Sequence, residues 1–446
     1  MKKQRMHIGI DDTDSTRKGC TTYVAALLVD KLEQHSVKFL DFPNLIRLNP
    51  NVPWKTRGNG ALCIRIEFEK GFGDQIKEAA IRLVEEQADL NFKGTDPGIV
   101  FLTRAVVPEE VTAFAKNAVT GIVTLKHALK LIEKNKGEAL GFNSCRGIIG
   151  ALAAIGEPLK SDHTFELIAY RAAKNCGSNR KVDEASIFEM DKLTQPYTFN
   201  NVDVKKGRVI ITPRGPDPIL FGIRGETPEI VQKAFALVKP LEPVERWVIF
   251  RTNQGTDAHL KKANGLNQIK PYNSVIVKGV VSQNPRIIPL RHVIFSIKDE
   301  SGEVDCAAYE PTGALRKVAA KLTVGDSIEV CGAVREPSQD KPLTVNLEKI
   351  SILALAPQMR YQNPLCPKCG RRLKSMGKNQ GFRCEKCGSK YVGLEKLAVA
   401  VDRGLETGLY VTSTRSQRHL TKPLRRYGLE KGCWEAENML EGWHSP

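Results

Sequence analysis

Three carboxylates, Asp11, Asp12 and Asp14, follow the apolar run Ile8-Gly9-Ile10, and two hydroxyls, Thr21 and Thr22, come shortly after them. Carboxylate oxygens are hard ligands that suit magnesium, which takes one or two of them together with substrate phosphates. Val24, Leu28 and Leu32 recur at helical spacing with Leu27 beside them, so the two threonines open a helix. A helix N-terminus presents free N–H groups and the positive end of a dipole, which suit a phosphate. The run His7–Ile10 reads as a short buried strand, and Gly19 and Cys20 as the turn before the helix.

The stretch by itself allows three chemistries: a solvated acidic turn with a Thr cap, a metal-dependent ATP site with Thr21 or Thr22 beside the phosphates, and a phosphatase nucleophile. The last follows from Asp12-x-Asp14-x-Thr16, which resembles the motif of haloacid-dehalogenase-type phosphatases. A second group, Lys55-Thr56-Arg57-Gly58-Asn59-Gly60, joins two cations to a glycine pair just before a strand. Glycine lets a backbone approach a phosphate closely, and Lys and Arg supply charge. The spacing is not that of a P-loop. Taken alone the loop is equally a plain turn; beside the acidic stretch in one domain, Thr22, Lys55, Arg57, Gly58, Asn59 and Gly60 are candidate contacts to ATP phosphates or RNA.

The pairs Cys366-x-x-Cys369-Gly and Cys384-x-x-Cys387-Gly, separated by 14 residues, carry the strongest local signal. Four thiolates so spaced can surround zinc tetrahedrally. No thioredoxin-like βαβ pattern encloses them, which disfavours a redox role. The knuckles carry Lys368, Arg371, Arg372, Lys374, Arg383 and Lys386, so the ribbon reads as touching phosphates; Arg415, Arg418, His419, Lys422, Arg425 and Arg426 follow, a solvated basic face unless RNA binds it.

The elements that must position these groups alternate between strand and helix over residues 1–115. Leu62, Ile64, Ile66 and Phe68 alternate with Arg65 and Glu67, the pattern of a half-buried strand. Ile76, Ala79, Ala80 and Leu83 predict a helix, and Asp96-Pro97-Gly98 a turn into a strand at Ile99–Leu102. Residues 116–260 read as a second α/β region. In it the small residues of Cys145–Ala154 suit tight helix packing, with glycines exposing backbone to a ligand as the alternative, and Thr227 with Pro228 starts a helix. Residues 261–357 carry five strands, Ser274–Ser282, His292–Lys298, Glu303–Tyr309, Ser327–Val334 and Val345–Leu353, with a helical piece after the third. That is the pattern of an oligonucleotide-binding (OB-fold) barrel. Residues 358–446 hold the zinc ribbon and a basic tail.

Lysine and arginine number 67 against 50 acids, a net charge of +17, which favours a polyanionic partner. From Gln358 to Pro446 there are 17 lysines and arginines against 8 acids, so about half of the excess lies in a fifth of the chain. No apolar run is long enough to span a membrane, and MKKQRMHIGIDDTD lacks the apolar region of an export signal. Outside the CxxC pairs the 11 cysteines are scattered, which predicts a reducing, cytoplasmic setting.

In order along the chain, GIDDTDS with GCTTY, RLNPNVPWKTRGNGA, RGIIGALAA, ELIAYR, FGIRGE, TNQGTDAHL and the two knuckles resemble the archaeal isoleucine-tRNA 2-agmatinylcytidine synthetases, and the likeness covers essentially the whole chain. The resemblance implies a multidomain α/β and α+β protein: a kinase-like domain, a ferredoxin-like domain, an OB-fold and a zinc ribbon. It implies joining agmatine to carbon 2 of the wobble cytidine of the isoleucine tRNA with a CAU anticodon, which then reads AUA. It further implies that ATP is cleaved to AMP and that a Thr at the position of Thr21 is autophosphorylated. On this reading Asp11, Asp12, Asp14 and Thr21 are catalytic, with magnesium on the triphosphate. The acids Asp203 and Glu226, beside Gly or Asn turns, are candidates for the agmatine guanidinium. Where the family tends to have glycine before Arg146-Gly147, this chain has Cys145. A haloacid-dehalogenase-like phosphatase and a non-catalytic RNA-binding protein are the competing classes.

Overall fold

The apolar run before the carboxylates forms β1 (Lys3–Asp11) in the computed structural model, which describes residues 3–35, 37–339, 342–432 and 439–445. There follow α1 (Thr21–Glu33), β2 (Lys38–Phe39), β3 (Asn44–Arg47), β4 (Gly60–Glu69), α2 (Gly73–Gln87) and β5 (Gly98–Leu102). Val24, Leu28 and Leu32 of α1 are buried as their spacing predicts, and so are Ile76, Ala80 and Leu83 of α2.

The strand β4 differs from its half-buried expectation. Leu62, Ile64, Ile66 and Phe68 pack under α1 and α2, but Ala61 and Cys63 join a second apolar cluster on the opposite face. Arg65 is buried there too. It donates to Asn44 Oδ1 at 2.9 Å and to the carbonyls of Ile155 and Glu157, both at 3.1 Å. Those carbonyls lie at the end of a later helix, where the free C=O groups need donors. Arg65 is thus the cap of a covering helix, and Glu67 alone stays near solvent, paired with Lys3 and Arg5.

That covering helix is α5. It comes after α3 (Glu109–Thr120), α4 (Leu125–Lys134) and β6 (Glu138–Gly141), and itself spans Gly147–Gly156. Its small residues let it lie almost on the sheet backbone: a Cβ on Gly9 would come 2.2 Å from Ala151 O. Next are β7 (Thr164–Arg171), α6 (Glu184–Thr194), β8 (Thr198–Phe199), the hairpin β9 (Val202–Asp203) and β10 (Arg208–Val209), β11 (Ile219–Gly225), α7 (Pro228–Leu237) and β12 (Val244–Thr252). Thr227 caps α7, accepting from Ile230 N, with Pro228 in the first turn.

One continuous sheet runs in the order β6-β5-β1-β4-β3-β12-β7-β11-β8, with β2 beside β4. The parallel pairing of β3 with β12 joins its two halves.

The third region contains β13 (Leu260–Lys262), β14 (Ser274–Ile288), β15 (His292–Asp299), β16 (Gly302–Ala308), α8 (Ala314–Ala319), β17 (Ser327–Arg335) and β18 (Thr344–Ala354). The path β14-β15-β16-β18-β17 closes through a β14–β17 pairing, with β16 and β18 parallel. This is the closed five-stranded barrel that the sequence predicts.

A ribbon of β19 (Met359–Gln362) and β23 (Leu397–Ala400) then carries a small sheet of β20 (Lys374–Ser375), β21 (Phe382–Arg383) and β22 (Lys390–Tyr391). The chain returns through β24 (Gly408–Val411), which adds to β18, and ends at β25 (His444–Ser445), which pairs with β12. Trp443 enters the core of the first sheet, edge-on to Phe39 at 5.3 Å and Phe42 at 5.9 Å. Among the described residues no helix is long and apolar enough to cross a membrane.

Candidate active site and RNA interface

The end of β1 delivers the three carboxylates into a cleft of about 480 Å³. Asp12 has φ +60°, a left-handed backbone in which its Oδ2 accepts from Asp96 N at 3.1 Å. A non-glycine residue in that region costs on the order of 1–3 kcal/mol, and such strain gathers at functional sites. Asp11 lies against α5, where Gly150 leaves room for its carboxyl group. Burial first, and the neighbouring carboxylates second, push the Asp11 and Asp12 carboxyls well above the ordinary range. Two crowded, partly buried carboxyls that resist joint ionisation are a receptor for cationic charge. Thr21 begins α1 in the same cleft, buried, and its Oγ1 accepts from Thr13 Oγ1 at 3.1 Å. Thr22 lies beside it, with Oγ1 3.0 Å from Cys20 Sγ.

The loop between β3 and β4 forms an adjoining wall, and Lys55, Arg57, Gly58, Asn59 and Gly60 all line the cleft. Arg57 bridges two halves of the molecule: Nε donates to Asp14 Oδ2 at 2.8 Å, Nη1 to Asp217 Oδ2 at 2.7 Å and Nη2 to Gly19 O at 2.7 Å. Arg146, at the start of α5, stacks 4.3 Å over the half-exposed ring of Trp54. Arg415, Arg418 and His419 of the returning tail line the cleft as well.

A further acid stands on the floor. Glu166 of β7 is 4% exposed and accepts from Arg224 Nε at 3.0 Å and from Gln254 Nε2, with Arg47 Nη2 3.9 Å away. Burial alone would raise its pKa, but Arg224 and Arg47 hold it below the ordinary value. Burial first, and the same crowding of Arg47 and Arg224 second, push the His419 imidazole well below its ordinary range.

The structure thus brings together Asp11, Asp12, Asp14, Thr21, Thr22 and the 55–60 loop. It does not bring Asp203 or Glu226 into the cleft. Asp203 sits on the β9–β10 hairpin, and Glu226 is 2% exposed, with Arg426 Nε at 2.5 Å and Lys431 Nζ at 2.8 Å. The acids inside the cleft beyond the first three are Glu166 and Asp217. Glu166 had a signal in the sequence, a lone acid inside the apolar strand TFELIAYR, whereas Asp217 in a Pro-Gly turn had none.

In the distal ribbon one sulfur each of Cys366, Cys369, Cys384 and Cys387 lies within 4.8 Å of all the others, with Cys366–Cys387 at 3.6 Å and Cys369–Cys384 at 3.4 Å. Thiolates about 2.3 Å from a shared tetrahedral ion stand nearly that far apart. Gly370 and Gly388 follow each pair with φ +69° and +71°, the left-handed turn that lets each knuckle close. The cluster fits structural zinc.

Four family models match in series: the TiaS TCKD domain at residues 7–80, the TiaS FLD domain at 145–259, an OB-fold nucleic acid binding domain at 269–353 and the TiaS C-terminal zinc ribbon domain at 363–405. The isoleucine-tRNA 2-agmatinylcytidine synthetase TiaS of Methanocaldococcus jannaschii is 45% identical over 425 residues, 94% of this chain and 98% of that protein. A solved complex of TiaS with its isoleucine tRNA and ATP superposes with a TM-score of 0.85 at 41% identity, covering 95% of this chain and 97% of the other. A complex of TiaS with that tRNA, AMPCPP and agmatine gives 0.83 at 39% identity with the same coverage. With identity of this level over nearly the full length of both chains, and a cleft joining carboxylates, a helix N-terminus and a basic rim, the protein belongs to the isoleucine-tRNA 2-agmatinylcytidine synthetase (TiaS) family.

Proposed function

We infer that this chain uses ATP to join agmatine to carbon 2 of the wobble cytidine of the isoleucine tRNA with a CAU anticodon. The observation that carries this reading is the meeting in one cleft of Asp11, Asp12, Asp14, the α1 N-terminus and a wall of basic side chains. Relatives solved with their isoleucine tRNA, ATP or AMPCPP, and agmatine support it.

The carbonyl oxygen on cytosine C2 is a poor leaving group. Phosphorylating it makes the C2–O2 bond breakable: the agmatine amine adds to C2, the oxygen departs with the phosphate, and the amine loses a proton. Asp11, Asp12 and Asp14 would hold magnesium on the ATP phosphates, where it supplies charge to offset the phosphoryl oxygens. Lys55, Arg57 and the 58–60 backbone would contact the same phosphates. Thr21 is the candidate acceptor for autophosphorylation, since it shares the cleft with the three acids. The guanidinium of agmatine calls for a carboxylate in bidentate geometry. Glu166 and Asp217 line the cleft where Asp203 and Glu226 do not, but Arg224 and Gln254 occupy Glu166, and Arg57 and Arg180 occupy Asp217, so agmatine would have to displace one of these donors. An anticodon base can be splayed from its loop, and the Trp54–Arg146 pair offers it a flat surface. Cys20, Cys63, Cys306 and Cys331 are free thiols, in keeping with a cytoplasmic enzyme.

Incubation with ATP, labelled agmatine and unmodified isoleucine tRNA is the direct test, and label must enter the tRNA. Asp12→Asn should lower ATP turnover by orders of magnitude while tRNA binding survives. A protein that merely binds RNA has no such turnover to lose, and a phosphoaspartate at Asp12 would turn the reading towards a phosphatase.

A further inference from the structure

Next to the cleft, across the loop Thr212–Asp217, lies a second hollow of about 740 Å³ that shares Pro213 with it. Four arginines line this hollow, Arg17, Arg180, Arg208 and Arg214, against the single acid Glu184. They are of two kinds. Arg17 is held by both oxygens of Asp89 at 2.7 Å. Arg180 donates to Asp217 Oδ1 at 2.9 Å and to the carbonyls of Gly215, Asp217 and Ile219, so it fixes the dividing loop. Arg208 and Arg214 are exposed, and among the described residues neither forms an ion pair or side-chain hydrogen bond. Asp203 stands directly across the hairpin from Arg208, yet no ion pair joins them. Two guanidinium forks with their donors free thus stand in a hollow whose other cations are already neutralised.

We propose that this groove binds the phosphodiester backbone of the single-stranded RNA next to the base presented to the cleft, a proposal that rests on the function inferred above. A base that enters the cleft requires its strand to leave over the rim, and Pro213 is common to rim and groove. Planar guanidinium forks match phosphate oxygens. A free di- or triphosphate travels with magnesium and calls for carboxylates, of which the groove has one. A phosphodiester carries one charge per nucleotide and needs cations alone.

The test uses full-length protein, with Arg208→Ala/Arg214→Ala and Arg208→Lys/Arg214→Lys double variants beside wild type. Unmodified isoleucine tRNA and its isolated anticodon stem-loop are titrated between ~50 and ~200 mM salt. The slope of log affinity against log salt should fall by about 1.4 in the alanine variant, from about 0.7 for each single-strand phosphate. The loss should be equal for tRNA and stem-loop, with the slope kept in the lysine variant. Inhibition by pyrophosphate should not change. An unchanged slope in the alanine variant, or a slope kept while pyrophosphate inhibition disappears, overturns the proposal. Agmatine incorporation by wild type is read separately, so its failure refutes the function without deciding the groove.

Discussion

Gly150→Ala is a sharp perturbation of the acidic site because it leaves every candidate chemical group in place. A methyl carbon at Gly150 would lie 1.8 Å from Asp11 Oδ2 and 2.6 Å from its Cγ. Non-bonded carbon atoms settle at about 3.5–4.0 Å, and a carbon–oxygen contact is only slightly shorter. The Asp11 carboxyl must therefore withdraw by about 1 Å or more, because α5 has little room to retreat: at Gly156 it is packed against α3, where an added Cβ would lie 2.3 Å from Val111 O. A misplacement of about 1 Å in a reacting constellation costs on the order of 10²-fold in rate. Overpacking adds about 1–3 kcal/mol of destabilisation. Agmatine incorporation at saturating tRNA should thus fall about 10²-fold, with tRNA affinity nearly unchanged and a modest loss in denaturant stability. The double variant with Asp11→Ala supplies the control. With the carboxyl gone the clash is largely relieved, leaving a 3.0 Å approach to the residue-11 Cβ. Gly150→Ala should then cost little further stability and no further activity. Activity within about threefold of wild type in the single variant, or equal destabilisation in both backgrounds, would refute the assignment of Asp11's position to this helix contact.

The raised Asp11 and Asp12 pKa values set a pH dependence. Such carboxyls favour the fold while protonated, so their contribution is complete below the ordinary carboxylate range near ~4 and is lost as pH rises through neutrality. Magnesium–ATP binding should release protons and tighten with pH in that window, and calorimetry in buffers of different ionisation enthalpy should detect the release. Cys384→Ser should abolish zinc binding and unfold the ribbon, whose buried core is little more than Cys366, Leu373, Phe382 and Cys384. Metal content and tRNA affinity should both drop while ATP binding is kept. Arg426 is fully buried between Glu226 and Asp162, which would keep only Lys431 at 2.8 Å and Lys422 at 3.5 Å without it, so Arg426→Met should destabilise by about 3 kcal/mol, the low end for a broken buried pair. A change under about 1 kcal/mol in equilibrium unfolding would show that those acids reach water or another cation.

Much of this molecule follows from local sequence, because the forces involved are local. The 24/28/32 spacing of α1, the Thr227 cap, the five barrel strands and the two cysteine knuckles each depend on residues close along the chain. Asp11, Asp12, Asp14, Thr21 and the 55–60 loop were also legible, as residue types that suit phosphate chemistry. What local pattern could not convey was which faces would be covered. Arg65 sits at a position that alternation assigns to solvent, yet α5 lies over it and takes its hydrogen bonds. Glu226 looks like a free acid at a turn, but the basic tail, some 200 residues later, fills its carboxylate with Arg426 and Lys431. Arg57 reaches Asp217, and Glu166 shares their cleft, because β3 pairs with β12 and joins the two halves of the sheet. Residue type and short-range spacing therefore determined the elements and the class of chemistry. Burial and long-range ion pairing, which exist only once the sheet is assembled, decided which charges remain free to act.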